Sequence, residues 1–563
     1  MFLPTIREEI LNLKWDKLDI ILITGDAYID SPFSGVAIIG KFLLNAGYKV
    51  GIIGQPDINS EKDITRLGEP KLFWGITGGC VDSMISNYTA LKKRRKTDDF
   101  TPGGKNVKRP DRAVIVYSNL IRRYFKNTVP IVLGGIESSL RRIAHYDYWQ
   151  DTIRRSILFD AKADYLIYGM GEKPIVELAD ALKSKDELKI KYIKGLCYIS
   201  NEKLEGYIEL PSFEEVKNNK KKFIEMFDKF YKLNIIGIKG LVQKQDTRYL
   251  VQNPQQKDLS EKELDKIYEL DYEYDAHPYY KKQGNIKALE TIKFSITSHR
   301  GCFGECNFCA ITVHQGKRVE SRSEESIIRE IKRLSELPDF KGYILDVGGP
   351  TANMYGMNCK NNFLCVKRCF SGELKCKNLN FSHKRIYNLL IALRKIKNIK
   401  KIFIGSGIRY DLILEDKEYG EKYLNDLIEY HISGQLKIAP EHIDDRILKL
   451  MGKMGEKYFN KFVKNFNEIN KKKGLKQFLT YYIIATHPGC YEKDMLKLKK
   501  YFLENLKILP EQVQIFTPAP STYSALMYYT EINPFTGEKI FVEKNLRNKQ
   551  RQKQIITGDF HGY

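Results

Sequence analysis

No stretch of the 563-residue sequence offers the ~18 uncharged apolar residues of a membrane span. The opening MFLPTIREEI meets Arg7 and Glu8 almost at once, so the apolar core of a secretory signal is missing as well. Both absences predict a cytoplasmic protein with no membrane partner. Acidic residues are in deficit: 70 Asp and Glu stand against 93 Lys and Arg, a formal charge of +23. Such an excess favours nucleic acid or another polyanion as a partner. The alternative is a Lys-rich solvated surface, and the spread of the charge along the chain favours it. The densest run is Lys92-Lys93-Arg94-Arg95-Lys96, followed by Lys105, Lys108, Arg109 and Arg112 around Pro102-Gly103-Gly104. The length is too great for one ordinary core, so two or three domains are expected.

The first 204 residues alternate strand and helix, the pattern of an open parallel sheet in an α/β domain of Rossmann or flavodoxin type. Asp19–Gly25 is an apolar run ending at glycine, Gly35–Ala46 has helical spacing, and Lys49–Gly54 closes a βαβ unit. Later runs end in glycine-rich turns at Gly78-Gly79, Gly134-Gly135 and Gly169-Met170-Gly171-Glu172. Ligands in such sheets sit beyond the carboxyl ends of the strands; the same glycines also serve simply for tight turns. Residues 205–288 carry less pattern and read as a connector or lid. A second series follows over 289–533. Strands are expected at Ile292–Thr297, Gly342–Val347, Lys401–Gly405, Gln435–Ala439, Phe478–Ile484 and Gln512–Phe516, with helices between them. Six parallel strands joined by helices predict a partial (β/α)6 barrel, with chemistry at its carboxyl-end loops. Residues 534–563 read as an irregular basic tail, mobile at its end.

Ten cysteines are present, and seven of them fall between Cys302 and Cys376 in two groups. Clustered thiols in a cytosolic chain point to metal rather than to disulfides. Cys80, Cys197 and Cys490 are scattered and read as buried or incidental. The first group, Cys302, Cys306 and Cys309, is spaced C-x3-C-x2-C directly after the first barrel strand. Three thiolates on one short loop can ligate three irons of a cubane cluster and leave the fourth open. Phe308 would shield such a cluster. A zinc site wants four protein ligands, which His299 or His314 could complete; the spacing favours iron–sulfur.

The loop Cys302-Phe303-Gly304-Glu305-Cys306-Asn307-Phe308-Cys309 resembles the CxxxCxΦC motif of the radical S-adenosylmethionine (SAM) superfamily, where Φ is aromatic. The wider segments SHRGCFGECNFCAITVHQGKRVESRSEESIIREI from Ser298, ILDVGGPTANMYG from Ile344 and the N-terminal ILITGDAYIDSPFSGVAIIG resemble the YgiQ-type family within it. The resemblance runs over nearly the whole chain. It implies a [4Fe–4S] cluster whose open iron is chelated by SAM, reductive cleavage of SAM to a 5′-deoxyadenosyl radical, and an electron donor such as flavodoxin or ferredoxin. It implies no particular substrate, small or macromolecular.

Further SAM contacts follow from the same resemblance. Gly348-Gly349 is similar to the second-strand GGE motif whose backbone holds the SAM amino group; Pro350 replaces the Glu. Ser406 and Arg409 close the third strand, and Arg409 would pair with the SAM carboxylate, for which a planar guanidinium is well shaped. Glu441 and His442 follow the fourth strand, where Glu441 would accept hydrogen bonds from ribose hydroxyls. A structural ion pair at the barrel rim is the other reading of Arg409 and Glu441. The fifth-strand GxIxGxxE pattern is poorly kept around Ala485 and Thr486. The N-terminal sheet resembles a cobalamin-binding-like domain, but the segment Asp26–Asp30 has no histidine, so histidine-ligated cobalamin is not expected.

The second group, Cys359, Cys365, Cys369 and Cys376, is spaced C-x5-C-x3-C-x6-C in a Lys- and Asn-rich loop. Four such thiols could hold zinc or a second iron–sulfur cluster, or remain a reduced surface loop. The leading functional reading is a radical SAM enzyme. Two alternatives stand beside it. An RNA-modifying, methylthiotransferase-like radical SAM enzyme would use the basic run from Lys92 to Lys96. A non-enzymatic iron–sulfur protein would have no need of the glycine pair and strand-end polar residues.

Overall fold

The structure is a computed structural model that describes residues 1–360, 365–372 and 374–558, and of residues 234–236 the backbone alone. The chain divides into two compact units, Met1–Asp258 with Lys266–Lys293, and Leu259–Asp265 with Phe294–Tyr563. Among the described residues no helix is long and apolar enough to cross a membrane.

The first unit is built on one mixed sheet. Its strands in chain order are β1 (Ile20–Thr24), β2 (Val50–Gly54), β3 (Phe73–Thr77), β4 (Ile131–Gly134), β5 (Tyr165–Ile167), β6 (Leu196–Ser200), β7 (Ile208–Leu210), β8 (Leu241–Gln245) and β9 (Arg248–Gln252). The sheet order is β7-β8-β9-β6-β5-β4-β3-β1-β2. β1 through β5 are mutually parallel, as βαβ crossovers require. Strands buried on both faces read as continuous apolar runs, and every residue of β1 and β2 is buried.

The expected connector at 205–288 is corrected here. Its strands β7, β8 and β9 extend the sheet, and Lys266–Lys293 packs back on the same unit. Tyr280 Oη accepts the Gly54 amide at 2.6 Å. The strand signal was hidden by glutamines. Gln243, Gln245 and Gln252 are buried but hydrogen-bonded: Gln243 serves Pro211 and Ala144, Gln245 serves Ser156 and Gln243, and Gln252 receives Arg142. Satisfied amides replace the apolar side chains that would have announced a core strand.

In the second unit the strands are β10 (Ser295–Thr297), β11 (Tyr343–Ile344), β12 (Asp346–Gly348), β13 (Lys401–Ile402), β14 (Gln435–Glu441), β15 (Phe478–Ala485) and β16 (Gln512–Ile515). β10 pairs with β12, β11 with β13, β14 with β15 and β15 with β16, all parallel. A parallel bridge from Ile408 to Ile438 joins the third strand region to β14. The pairing thus follows sequence order through six strand positions, the order of a partial (β/α)6 barrel. Helix α1 (Glu456–Lys473) shows how a crossover is specified. It buries Tyr458, Phe459, Phe462, Val463 and Phe466 on one stripe, carries Lys471 to Lys473 in its last turn, and stops at Gly474 with φ 65°.

The basic tail is also corrected. Leu546–Thr557 is helix α2, capped by Asn545, whose side chain accepts from the amides of Arg547 and Asn548. It buries Lys549, Gln552, Ile555 and Ile556. Its many charged residues concealed that stripe. Residues 559–563 of the expected tail lie outside the described residues.

Candidate functional site

The loop after β10 is fixed from several sides. The Cys302 amide donates to Gly316 O at 3.2 Å and Thr312 Oγ1 donates to Cys302 O at 3.2 Å. Asn307 is the main anchor. Its amide donates to Met451 O at 2.9 Å, its side chain to Leu450 O at 2.8 Å, and its carbonyl accepts the Ser524 amide at 2.9 Å. Gly301, at φ 76°, has to be glycine: a Cβ there would lie 1.7 Å from Arg318 O. Phe308 meets His487 edge to face at 6.4 Å between ring centres.

All three thiols are free and half-buried. Burial pushes Cys309 up to about 12, and the neighbouring Cys306 and Cys302 push it the same way. Cys302 is raised by burial and by Cys306, while Thr351 and Arg409 pull it down. Cys306 therefore sits close enough to Cys302 and Cys309 for its charge to be felt at both. Among the described residues no three His, Cys, Asp or Glu side chains form a ready ion cage. The donor set nonetheless suits a cubane: three soft thiolates on one anchored loop.

Arg409 lies against this loop. A Cβ on Gly304 would sit 2.5 Å from Arg409 Nη1 and 3.3 Å from Cys302 Sγ. Arg409 is buried, and its Nε donates to both Asp411 carboxylate oxygens at 2.9 and 3.1 Å. Burial opposes its charge, but Asp411 beside it more than compensates and holds the guanidinium protonated. The Arg409 backbone is clamped by Asn353, whose Oδ1 accepts the Arg409 amide at 2.8 Å and whose Nδ2 donates to Arg409 O at 3.0 Å. Asn353 is held in turn by His383, and His383 by Asp416. With Nε and Nη2 on Asp411, Nη1 is left buried with no hydrogen-bond partner among the described residues. The ion-pair reading and the ligand reading of Arg409 are therefore compatible: one edge is anchored, the other is free.

The remaining strand ends differ in what they leave available. Gly349 packs on His299, where a Cβ would lie 2.6 Å from the ring, and the Gly348 carbonyl accepts from the Ser298 amide at 2.7 Å and hydroxyl at 3.0 Å. Ser406 donates its hydroxyl to Asp346, which also accepts the Gly405 amide at 2.8 Å and the Ser406 amide at 3.1 Å. Glu441 is buried at a register shift of β14 with φ 66°. Burial raises its carboxyl above the usual range, with Lys453 pulling the other way. His442 is held neutral by burial at about 4, and its Nδ1 accepts the Asp444 amide at 3.0 Å. Thr486, at φ 61°, keeps a buried hydroxyl without a partner.

Asp346, Asn353 and Asp411 were not singled out in the sequence. Asp346 did leave a signal, a carboxylate inside the apolar run ILDVGG directly before the glycine pair. Asn353 left none, because its role exists only once distant segments meet, and Asp411, two residues after Arg409, reads in the sequence as an ordinary neighbouring charge.

The second cysteine group forms two short hairpins, Asn358–Cys359 with Leu379–Asn380 and Phe370–Ser371 with Leu374–Lys375. Residues 361–364 and 373 of this loop lie outside the described residues. All four thiols are free and half-buried. Burial pushes Cys369 up to about 12, Lys317 pulls it down, and Glu305, Cys376 and Cys359 push it up. The run Lys92–Lys96 is exposed, while three arginines in and after it are engaged within their own unit. Arg109 is buried between Asp26 and Asp98, Arg112 pairs with Asp147, and Arg94 with Asp111. The Asp26–Arg109 pair occupies the carboxyl end of β1, where Arg109 also donates to Gly78 O at 2.7 Å.

Comparison with known proteins agrees with this geometry. Residues 2–295 match the Radical SAM N-terminal family and residues 296–502 the Radical SAM superfamily. A UPF0313 protein of Fusobacterium nucleatum is 57% identical over 99% of this chain and 98% of its own length. UPF0313 proteins of Thermotoga petrophila and Clostridium botulinum are 49% and 47% identical, over 99% and 100% of this chain and 98% and 88% of theirs. In fold the chain is similar to the radical SAM methyltransferase TsrM of Kitasatospora setae, solved with cobalamin and a [4Fe–4S] cluster. The TM-score is 0.52 at 14% identity, covering 90% of this chain and 77% of that one. The chain belongs to the UPF0313 proteins of the radical SAM superfamily and is an enzyme of that class.

Proposed function

We propose that Cys302, Cys306 and Cys309 hold a [4Fe–4S] cluster and that SAM binds beside it at the carboxyl-end loops of the barrel. Bound there, the cluster supplies the electron that cleaves SAM to methionine and a 5′-deoxyadenosyl radical. The observation that carries this reading is the unpartnered Nη1 of Arg409 beside Gly304 and Cys302 of the cysteine loop. A buried donor without a partner costs about 1–3 kcal/mol, more when charged, so such groups persist where a ligand completes them.

The chain's own residues then divide the work of binding. Arg409 offers Nη1 to the SAM carboxylate while Asp411 fixes its plane. Ser298 already uses the Gly348 carbonyl, so the Gly349 and Pro350 carbonyls are the acceptors left for the SAM amino group. Ser406 spends its donor on Asp346 and keeps only acceptor capacity for a ligand. The Glu441 carboxyl has no hydrogen bond among the described residues and would accept from ribose hydroxyls. His442 acts by positioning, through the turn at Asp444. Phe308 covers the loop on the His487 side and limits water.

Cobalamin is present in the TsrM structure. Here the segment Asp26–Asp30 after β1 carries the Asp26–Arg109 pair and no histidine of its own; His277 packs on Tyr28 at 5.7 Å between ring centres, with Nε2 on Glu9. The deciding experiment is anaerobic. The reconstituted protein with a reductant and SAM is expected to form 5′-deoxyadenosine; none formed by a fully iron-loaded protein would sink the reading. Deuterium carried from labelled extract fractions into 5′-deoxyadenosine would then identify the substrate. RNA that co-purifies and leaves with salt would mark a nucleic-acid substrate.

A further inference from the structure

We propose that Cys359, Cys365, Cys369 and Cys376 form a second, four-thiolate metal site, for zinc or an iron–sulfur cluster, that clamps their loop onto the Cys302–Cys309 loop and backs Arg409 through Phe370.

The first argument is that this segment cannot hold itself. Its two ladders are two residues long on each strand. A two-stranded hairpin is marginal in water even at greater length. Phe370 and Leu379 are buried, but Leu374 is 61% exposed and Val366 43% exposed, so only part of its apolar surface is covered. Segments without a core are held by disulfides or metals. Side-chain contacts such as Lys317 on the Cys365 and Lys367 carbonyls tie it at its rim, and the four cysteines, which no disulfide joins, are the groups among the described residues that could cross-link it from within.

The second argument is how the backbone places the thiols. The Cys376 amide donates to Cys369 O at 2.9 Å, so these two residues flank the inner hairpin as a pair. The Leu379 amide donates to Cys376 O at 3.1 Å, and Leu379 is the register partner of Cys359. Cys359, Cys369 and Cys376 are thus tied at the base of nested hairpins. At Cys365 the Lys367 amide donates to the sulfur at 3.4 Å. An amide two residues on and aimed at sulfur stabilises a thiolate, as a metal ligand needs.

Charge and count agree. Four thiols that bind one divalent ion release four protons and leave a site of net charge −2. Lys360, Lys367, Arg368, Lys375 and Lys377 lie in the same segment and Lys317 donates to the carbonyls of Cys365 and Lys367. Four thiolates complete a tetrahedral zinc or saturate a cubane, leaving no open position for SAM. The two sites are therefore different in kind.

The contacts across the two loops give the site a role. The Cys369 amide donates to Glu305 Oε2 at 3.3 Å, and Arg368 donates to Asn307 Oδ1. Glu305 and Asn307 lie between the first-group cysteines. Phe370, next to Cys369, puts its ring 5.5 Å from the Arg409 guanidinium. Removing the metal frees the hairpin and loosens Arg409. This clamp rests on the SAM reading above; the metal site itself does not.

The test uses full-length protein prepared without oxygen in two variants, C302A/C306A/C309A and C359S/C365S/C369S/C376S. The triple variant is expected to retain about one zinc, or roughly four iron with sulfide, in a sulfur-only shell by X-ray absorption. The quadruple variant should lose that metal, keep the remaining iron, and bind SAM about tenfold more weakly, the effect of one hydrogen bond. A triple variant with no bound metal overturns the proposal, as does a wild-type metal content in the quadruple variant. Paired disulfides in the wild-type loop overturn it too. If the quadruple variant does not fold, the sulfur shell of the triple variant decides. Wild-type protein that binds the second metal yet never cleaves SAM would sink the functional reading and leave this site standing.

Discussion

Replacing Arg409 with lysine separates its two edges. Arg409→Ala would be the obvious change, but it leaves Asp411 buried and unpaired. Breaking a buried pair in that way costs about 3–5 kcal/mol, a large part of the roughly 5–15 kcal/mol that holds a domain together. Loss of SAM binding in that variant would say little. Lysine keeps the positive charge and can still face Asp411, but a single ammonium cannot also occupy the Nη1 position beside Cys302. The loss is one charge-assisted hydrogen bond, about 1.5–3 kcal/mol. That is roughly a ten- to hundredfold rise in the Kd for SAM. The assay is equilibrium binding of SAM to anaerobic, cluster-loaded protein, with iron and sulfide measured on the same samples. Arg409→Lys should match wild type in iron content and differ in SAM affinity. A folded, fully loaded Arg409→Lys protein that binds SAM within twofold of wild type refutes the argument and returns Arg409 to a purely structural role.

The other predictions are simpler. Cys302→Ala, Cys306→Ala and Cys309→Ala each abolish 5′-deoxyadenosine formation, because each removes one of three iron ligands; full activity in any one ends the cluster assignment. Glu441→Gln raises the thermal midpoint of the cofactor-free protein at pH 8 and changes it little at pH 4. Burial raises the Glu441 carboxyl above its ordinary 4.5. Its contribution is therefore intact below that value and is lost as pH rises through the folded-state value. An unchanged midpoint at pH 8 contradicts this. His299 and His442 are depressed to about 4 and His487 to about 3 by burial. Their contribution is full above the ordinary 6.5 and declines as pH falls toward those values, so the midpoint at pH 5 should lie below that at pH 7. Equal midpoints would show that other groups offset the three imidazoles.

What could be read from the sequence was local and periodic. Helix α1 follows its apolar stripe and closing glycine residue for residue, Glu456 to Lys473. The barrel strands were legible because each is an apolar run between two helical stretches. Both signals are carried by neighbours a few residues apart. The errors share a cause. Gln243 and Gln245 sit in a buried strand, and Lys549 and Gln552 on the buried face of a helix, each satisfied by partners that only the fold supplies. A polar residue announces a surface until its partner is known. The candidate site shows the same division. The cysteine spacing was visible, whereas the free edge of Arg409 depends on Asp411 beside it and on Asn353 from a different strand end.

Backbone strain in the second unit is not spread evenly. Non-glycine residues with positive φ stand at Asn398, Lys507 and Glu531, where the chain leaves or follows a helix, an ordinary place for left-handed conformation. The others are Glu305, Glu441, Thr486 and Ser521. Glu305 lies in the loop after β10, Glu441 ends β14, Thr486 follows β15 and Ser521 comes after β16. Each costs on the order of 1 kcal/mol or more. Among the described residues, some buried polar groups without partners share these loops, namely Glu305 Oε1, Thr486 Oγ1 and Arg409 Nη1, while others, such as Tyr423 Oη and Gln477 Oε1, lie elsewhere in the unit. Neither kind of cost stabilises the empty protein. At the carboxyl ends of the barrel strands, the strained residues together with Arg409 Nη1 describe a surface shaped for something other than itself. A ligand that accepts from Arg409 and donates to Glu441 would offset much of that cost. The bound protein should therefore gain its stability chiefly in these loops, which is where slowed amide exchange on adding SAM would be sought.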